Sequence, residues 1–140
     1  MELVQHVYSV LAISTREKFY TSLRGLLPED RYSPLCWESD VTSARRLLLE
    51  RTFDIVVIST PLPDEFGTKL AMHVVDSSSA GVLLLVGAEH YPDISVRLSP
   101  YGILTLQKPT TPQLILQSLQ LLCGTRAVSY THLTLPTNRE

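Results

Sequence analysis

The chain has 140 residues, 44% hydrophobic and 19% charged, a balance that suits one globular domain and excludes wholesale disorder or a membrane protein. A formal net charge of -2 gives no electrostatic reason to hold phosphate backbones, so direct binding of nucleic acid by this segment is not expected. Cys36 and Cys123 lack the close Cys or His spacing of a zinc site, and the N-terminal apolar run is too short to span a bilayer and has no basic region before it, so buried free thiols in a reducing cytoplasm are expected.

Val7 to Ser14, "VYSVLAIS", reads as a central strand ending on the hydroxyl pair Ser14-Thr15, with Thr15 placed to cap the first helix. Phe19, Tyr20, Leu23, Leu26 and Leu27 then form one face of that helix, which ends near Pro28. "RYSPLCWES" is a weaker strand, and Pro34 suggests a sheet edge or a strand beginning. Asp40 is the predicted N-cap of a helix with Val41, Ala44, Leu47 and Leu48 inward.

"DIVVIS", Asp54 to Ser59, is apolar on both faces, as a parallel strand covered on both sides must be. After the Pro61 and Pro63 loop, Gly67 leads into a helix with Leu70, Ala71, Val74 and Val75 inward, and "GVLLLV" from Gly81 is a further buried strand. "YPDISVRLSPYG" leaves room for only a short helix between its two prolines and is expected to be mobile. "ILTLQKP" is the fifth strand, and "TTPQLILQSLQLLCG" is the last helix, with Thr111 as N-cap and Pro112 at its first position. Alternating strands and helices with short links specify an α/β fold, a (βα)5 doubly wound parallel sheet of flavodoxin-like type.

Ligands in such folds sit outside the carboxyl ends of the strands, where the strand order reverses. That rule selects Ser14-Thr15, Ser59-Thr60, Val86-Gly87 and Gln107-Lys108. Phosphoryl transfer there would need a carboxylate nucleophile and further carboxylates for a divalent cation, and none of the four ends supplies one. Glu17, Asp64 and Glu65 are the nearest acids, each beyond its strand end and expected to face water. Ser59 as a nucleophile would need a base, for which only His90 is at hand. No glycine-rich phosphate loop is present, and Arg45-Arg46, the densest basic pair, reads as a solvated face. Catalysis, a metal and a cofactor are therefore not expected. Lys108 can reach over the sheet toward an anion or a hydroxyl, and its bond to Pro109 is a candidate for the cis form.

From Val7 to Cys123 the chain resembles the receiver domain of bacterial response regulators, on the (βα)5 order, on "DIVVISTPLPDEFG" and on "GILTLQKP". In that family an acidic pair ends the first strand, a phosphorylated Asp the third, a Thr or Ser the fourth and a Lys the fifth. The resemblance puts Ser14 and Thr15 at the acidic pair, Ser59 at the phosphoacceptor, Gly87 at the hydroxyl and Lys108 at the lysine, with Thr105 at the aromatic switch. Only the lysine is retained, which implies a degenerate, phosphorylation-independent pseudo-receiver of the kind found ahead of ANTAR RNA-binding output domains.

Such a domain regulates by protein contact. Leu114, Ile115, Leu116, Leu119, Leu121 and Leu122 cover more of the last helix than one core stripe requires, so a homodimer or partner interface is expected there, tested at Leu116 and Leu121. A broader buried helix is the competing explanation. The other functional class is a small-ligand or anion sensor using Ser14, Thr15, Ser59, Gly87 and Lys108; an enzyme of flavodoxin-like architecture ranks third. The expected domain is 1-126, and 127-140, with no helical stripe, is expected to be a poorly ordered, non-native tail.

Overall fold

A computed structural model describes residues 6-132, with side chains described through Gly124. Five strands alternate with five helices: β1 (Tyr8–Ile13), α1 (Glu17–Leu26), β2 (Tyr32–Glu38), α2 (Val41–Glu50), β3 (Ile55–Ser59), α3 (Thr68–Ser77), β4 (Gly81–Gly87), α4 (Tyr91–Leu98), β5 (Leu104–Lys108) and α5 (Pro112–His132). The sheet is parallel with order β2-β1-β3-β4-β5, so the direction of winding reverses between β1 and β3, as a doubly wound fold requires.

The period of two along each strand divides the core into two layers. Leu11, Ile13, Val56, Ile58, Leu84 and Val86 pack under α2, α3 and α4. Val10, Ala12, Ile55, Val57, Leu83 and Leu85 pack under α1 and α5. Both faces are covered, which is why β1, β3 and β4 read as continuous apolar runs. Edge strand β2 contains Pro34 and is half-exposed through its middle. At the amino end of the sheet the Asp54 carboxylate accepts from the Ser9 backbone N–H at 2.9 Å and latches β3 to β1.

The helix signals mostly act as expected. Asp40 Oδ1 accepts from the Ser43 N–H at 2.7 Å, and Thr111 Oγ1 accepts from the Leu114 N–H at 3.1 Å. Thr15 differs: the N-cap of α1 is Arg16, whose guanidinium has no acceptor to offer, and Thr15 Oγ1 instead donates to the Pro61 carbonyl at 3.2 Å. α4 is the short helix expected, eight residues long, with Pro92 in its first turn, where the missing N–H costs nothing. Cys123 is buried and Cys36 half-buried, and the two form no disulfide. Burial, followed by the neighbouring Cys123 thiol, raises the Tyr32 hydroxyl to about 12.

The backbone of α5 continues as helix through residues 127-132, past the expected boundary near 126. The packing expected of the 127-140 tail lies outside the described side chains.

Candidate functional site

The carboxyl ends of β1, β3 and β5 open on a cleft of about 570 Å³ lined by Ser14, Thr15, Arg16, Lys18, Phe19, Ser22, Ser59, Thr60, Pro61 and Lys108. Its floor is built by backbone pairing. The Thr60 N–H and Oγ1 both donate to the Leu85 carbonyl, at 3.0 and 2.9 Å, which pins the residue after β3 to β4. Thr60 is thereby buried and its side chain is committed to structure.

Gly67 allows the loop to turn back onto this floor. It has φ +128, and a Cβ there would lie 3.1 Å from Thr60 Cγ2 and 3.2 Å from Ile58 Cγ2. Ser14 is also committed: its Oγ donates to the Arg16 carbonyl at 2.7 Å, and its own carbonyl accepts from Trp37 Nε1–H at 3.0 Å. Trp37 in turn stacks on Tyr20, with ring centroids 6.1 Å apart.

Lys108 reaches across the cleft. Its ammonium donates to Ser59 Oγ at 3.5 Å and to the Thr60 carbonyl oxygen. Both acceptors are neutral, and among the described residues no carboxylate lies within ion-pair distance of it. Burial lowers its pKa, and the more distant Glu89 carboxylate partly offsets that shift. The Lys108–Pro109 peptide is cis.

Of the residues selected from sequence, Ser14, Thr15, Ser59 and Lys108 line one cleft. Gly87 ends β4 paired with Lys108, but it is outside the lining, and a Cβ on it would lie 2.9 Å from Glu89 Oε1. Thr105 faces the opposite layer, paired with Leu84 under α4, buried and with its Oγ1 unpartnered among the described residues. Leu121 is 62% exposed, whereas Leu116 packs half-buried against the core; Leu114, at 46%, is the other outward leucine.

The acids near the edge serve elsewhere. Asp64 Oδ1 accepts from the Val41 N–H at 2.9 Å, and its Oδ2 accepts from the Thr42 N–H at 3.0 Å and from Thr42 Oγ1 at 2.8 Å. These bonds, Val41 first, hold its carboxyl down at about 2. With Asp40 it supplies acceptors to the free N–H groups of α2, a role beyond the solvated position expected for it. Glu65 lies 3.7 Å from Arg45 in a partly exposed ion pair. His90 sits 3.7 Å from Glu89 and edge-on to Phe66, and no contact with Ser59 is present among the described residues, so Ser59 has no base.

The residues present do not fit a divalent cation. The cleft carries three cations, Arg16, Lys18 and Lys108, with neutral oxygens between them, and its lining includes no carboxylate. Among the described residues no group of three His, Cys, Asp or Glu could hold a metal. Arg16 and Lys18 are the residues sequence reasoning overlooked: in "TREK" Glu17 stands between them and breaks up any basic run, and only their position after β1 brings both to the same edge as Lys108.

No protein-family model and no curated protein matches this sequence. Solved structures do. The signal receiver domain of an HD domain-containing protein from Pseudomonas fluorescens Pf-5 is 24% identical, with a TM-score of 0.79 over 94% of this chain and 97% of that one. The beryllofluoride-activated NtrC4 receiver domain dimer is 22% identical, with a TM-score of 0.71 over 81% and 94%. The CheY-like response regulator receiver domain from Methylobacillus flagellatus is 18% identical, with a TM-score of 0.70 over 83% and 98%. With the strand order and the two-layer core, these likenesses establish that the chain has the flavodoxin-like fold of response-regulator receiver domains.

Proposed function

We propose that the domain is a response-regulator signalling module of atypical kind, which works without aspartyl phosphorylation and controls an output domain through protein contact in the cytoplasm. The observation that carries this reading is the end of β3. Ser59, which the sequence resemblance aligns with the phosphoacceptor, ends β3 with its Oγ accepting from Lys108, in a cleft lined by three cations and no carboxylate. A dication brought there would meet positive charge and neutral oxygens, and without one a phosphoryl group has no activating partner.

The domain is then no enzyme, and its state is set by pairing. Receiver domains are seen as dimers, as in the NtrC4 structure, and the outward leucines of α5 offer a homodimer or partner surface here. An ANTAR-type antitermination output is the partner domain that the sequence resemblance favours. Incubation with magnesium and acetyl phosphate, read by intact mass, is expected to leave the protein unmodified. A stoichiometric phosphoryl adduct on Ser59 would overturn this reading.

A second reading, an anion sensor, is favoured by the same three cations. Lys108, half-buried and with only neutral acceptors, is the group an anion would neutralise. An anion that binds the folded state alone raises the unfolding temperature with the logarithm of its concentration above its dissociation constant, so a thermal-shift series with phosphate and small carboxylates tests it.

A further inference from the structure

A second cleft, also of about 570 Å³, continues from the first along the groove between α1 and α5. The two share Phe19, Ser22, Ser59 and Lys108. Their characters differ. The first is cationic and rich in hydroxyls, while the second is walled by Leu23, Leu26, Leu85, Pro109, Pro112 and Ile115. Lys108 stands at the junction, with charge on one side and apolar surface on the other.

We propose that the two clefts form one site for an amphipathic anion, a medium-chain carboxylate whose head group neutralises Lys108 and whose tail lies in the α1-α5 groove. The inference rests on the anion-sensor reading and deepens it. Charge complementarity selects the head: Lys108 has neutral acceptors only, and Arg16 and Lys18 add positive charge at the mouth without a lining carboxylate to compensate. Ser59 Oγ, already on the ammonium, can donate its proton to a carboxylate oxygen.

The groove selects the tail. Phe19, Leu23 and Leu26 follow one another at i, i+4 and i+7 on α1, a row about 10 Å long and matched to an alkyl chain of roughly eight carbons. An inorganic anion fills only the cationic cleft and gains nothing from this row. An uncharged chain leaves Lys108 without a counter-ion.

Isothermal titration with octanoate, octan-1-ol, acetate and inorganic phosphate tests the assignment, on the wild-type chain and on Lys108→Gln and Leu26→Gln. Circular dichroism of each variant checks that it is folded. Octanoate is expected to bind at least about tenfold more tightly than acetate, phosphate or octanol. Lys108→Gln is expected to reduce it to the affinity of octanol, and Leu26→Gln to weaken octanoate but not acetate. Acetate or phosphate binding as tightly as octanoate would remove the apolar half of the site and leave the plain anion reading standing. Binding of no anion at all would remove both. Octanol equal to octanoate, or indifference to Lys108→Gln, would show that the charge plays no part and overturn the proposal.

Discussion

Replacing Leu121 by Asp is the perturbation that isolates the α5 surface from the fold. Leu121 is 62% exposed and Leu114 is 46% exposed, and seven residues of helix separate them, so they share one outward face. Their exposed parts together amount to about one whole leucine side chain per chain, and full burial of a leucine contributes about 1.5–3 kcal/mol. A two-fold pairing doubles this to roughly 3–6 kcal/mol before the cost of association, about 4 kcal/mol or more, is met. These two leucines alone therefore leave at most about 2 kcal/mol, a dissociation constant no tighter than about 30 mM, so a dimer populated at about 1 mM must bury further surface on the same face. Leu121→Asp removes more than half of the apolar surface and sets two carboxylates near each other across the symmetry axis. It should weaken association by at least about tenfold, equivalent to 1.4 kcal/mol or more. Folding stability should change by no more than about 0.5 kcal/mol, as for other surface substitutions. Leu116→Asp is the contrasting control, because Leu116 packs against the core and its loss should unfold the domain rather than report on pairing. Sedimentation equilibrium up to about 1 mM protein, with urea unfolding in parallel, reads both quantities. A Leu121→Asp variant that pairs like wild type would refute the reasoning, and a chain that stays monomeric throughout would show that α5 buries no further surface in a homodimer.

Two glycines at opposite ends of β4 should respond oppositely to alanine. Gly81→Ala puts a Cβ 3.2 Å from Leu122 Cβ, so α5 must move, and a loss of about 1–3 kcal/mol in urea unfolding is expected. Gly87→Ala meets only the mobile end of Glu89 and should be neutral or stabilising by about 0.4–1 kcal/mol; a loss as large as that of Gly81→Ala would contradict this contrast. Thr105→Val removes a buried hydroxyl that has no partner among the described residues and should stabilise the domain by about 1 kcal/mol, whereas destabilisation would mean that the hydroxyl is engaged. Asp64 has a folded pKa near 2, below its usual value of 3.8, so its contribution is complete above about pH 4 and is lost as pH falls toward 2. The stability difference between wild type and Asp64→Asn should close over that window, and a difference independent of pH would argue against the capping role.

Local pattern was enough for the architecture. The apolar runs of β1, β3 and β4, the stripes of α1 to α3 and the capping residues Asp40 and Thr111 each respond to burial or to unsatisfied backbone within a few residues, and such signals survive in one dimension. That Ser14, Thr15 and Ser59 line a cleft at the strand ends was equally legible, since ligand clefts of such folds open at those ends. Pairings between distant segments were not. Thr15 gives up its capping position for Pro61, Asp64 completes a helix that begins 23 residues before it, and Arg16 and Lys18 join Lys108 only because β1, β3 and β5 end at one edge. Leu116 and Leu121 look alike in sequence, and the rotation of α5 on the sheet decides which one is exposed. Composition and periodicity thus determined the layers and the absence of acids at the strand ends. Only the tertiary structure decided where the remaining charges converge, because that depends on strand order and loop closure rather than on any spacing along the chain.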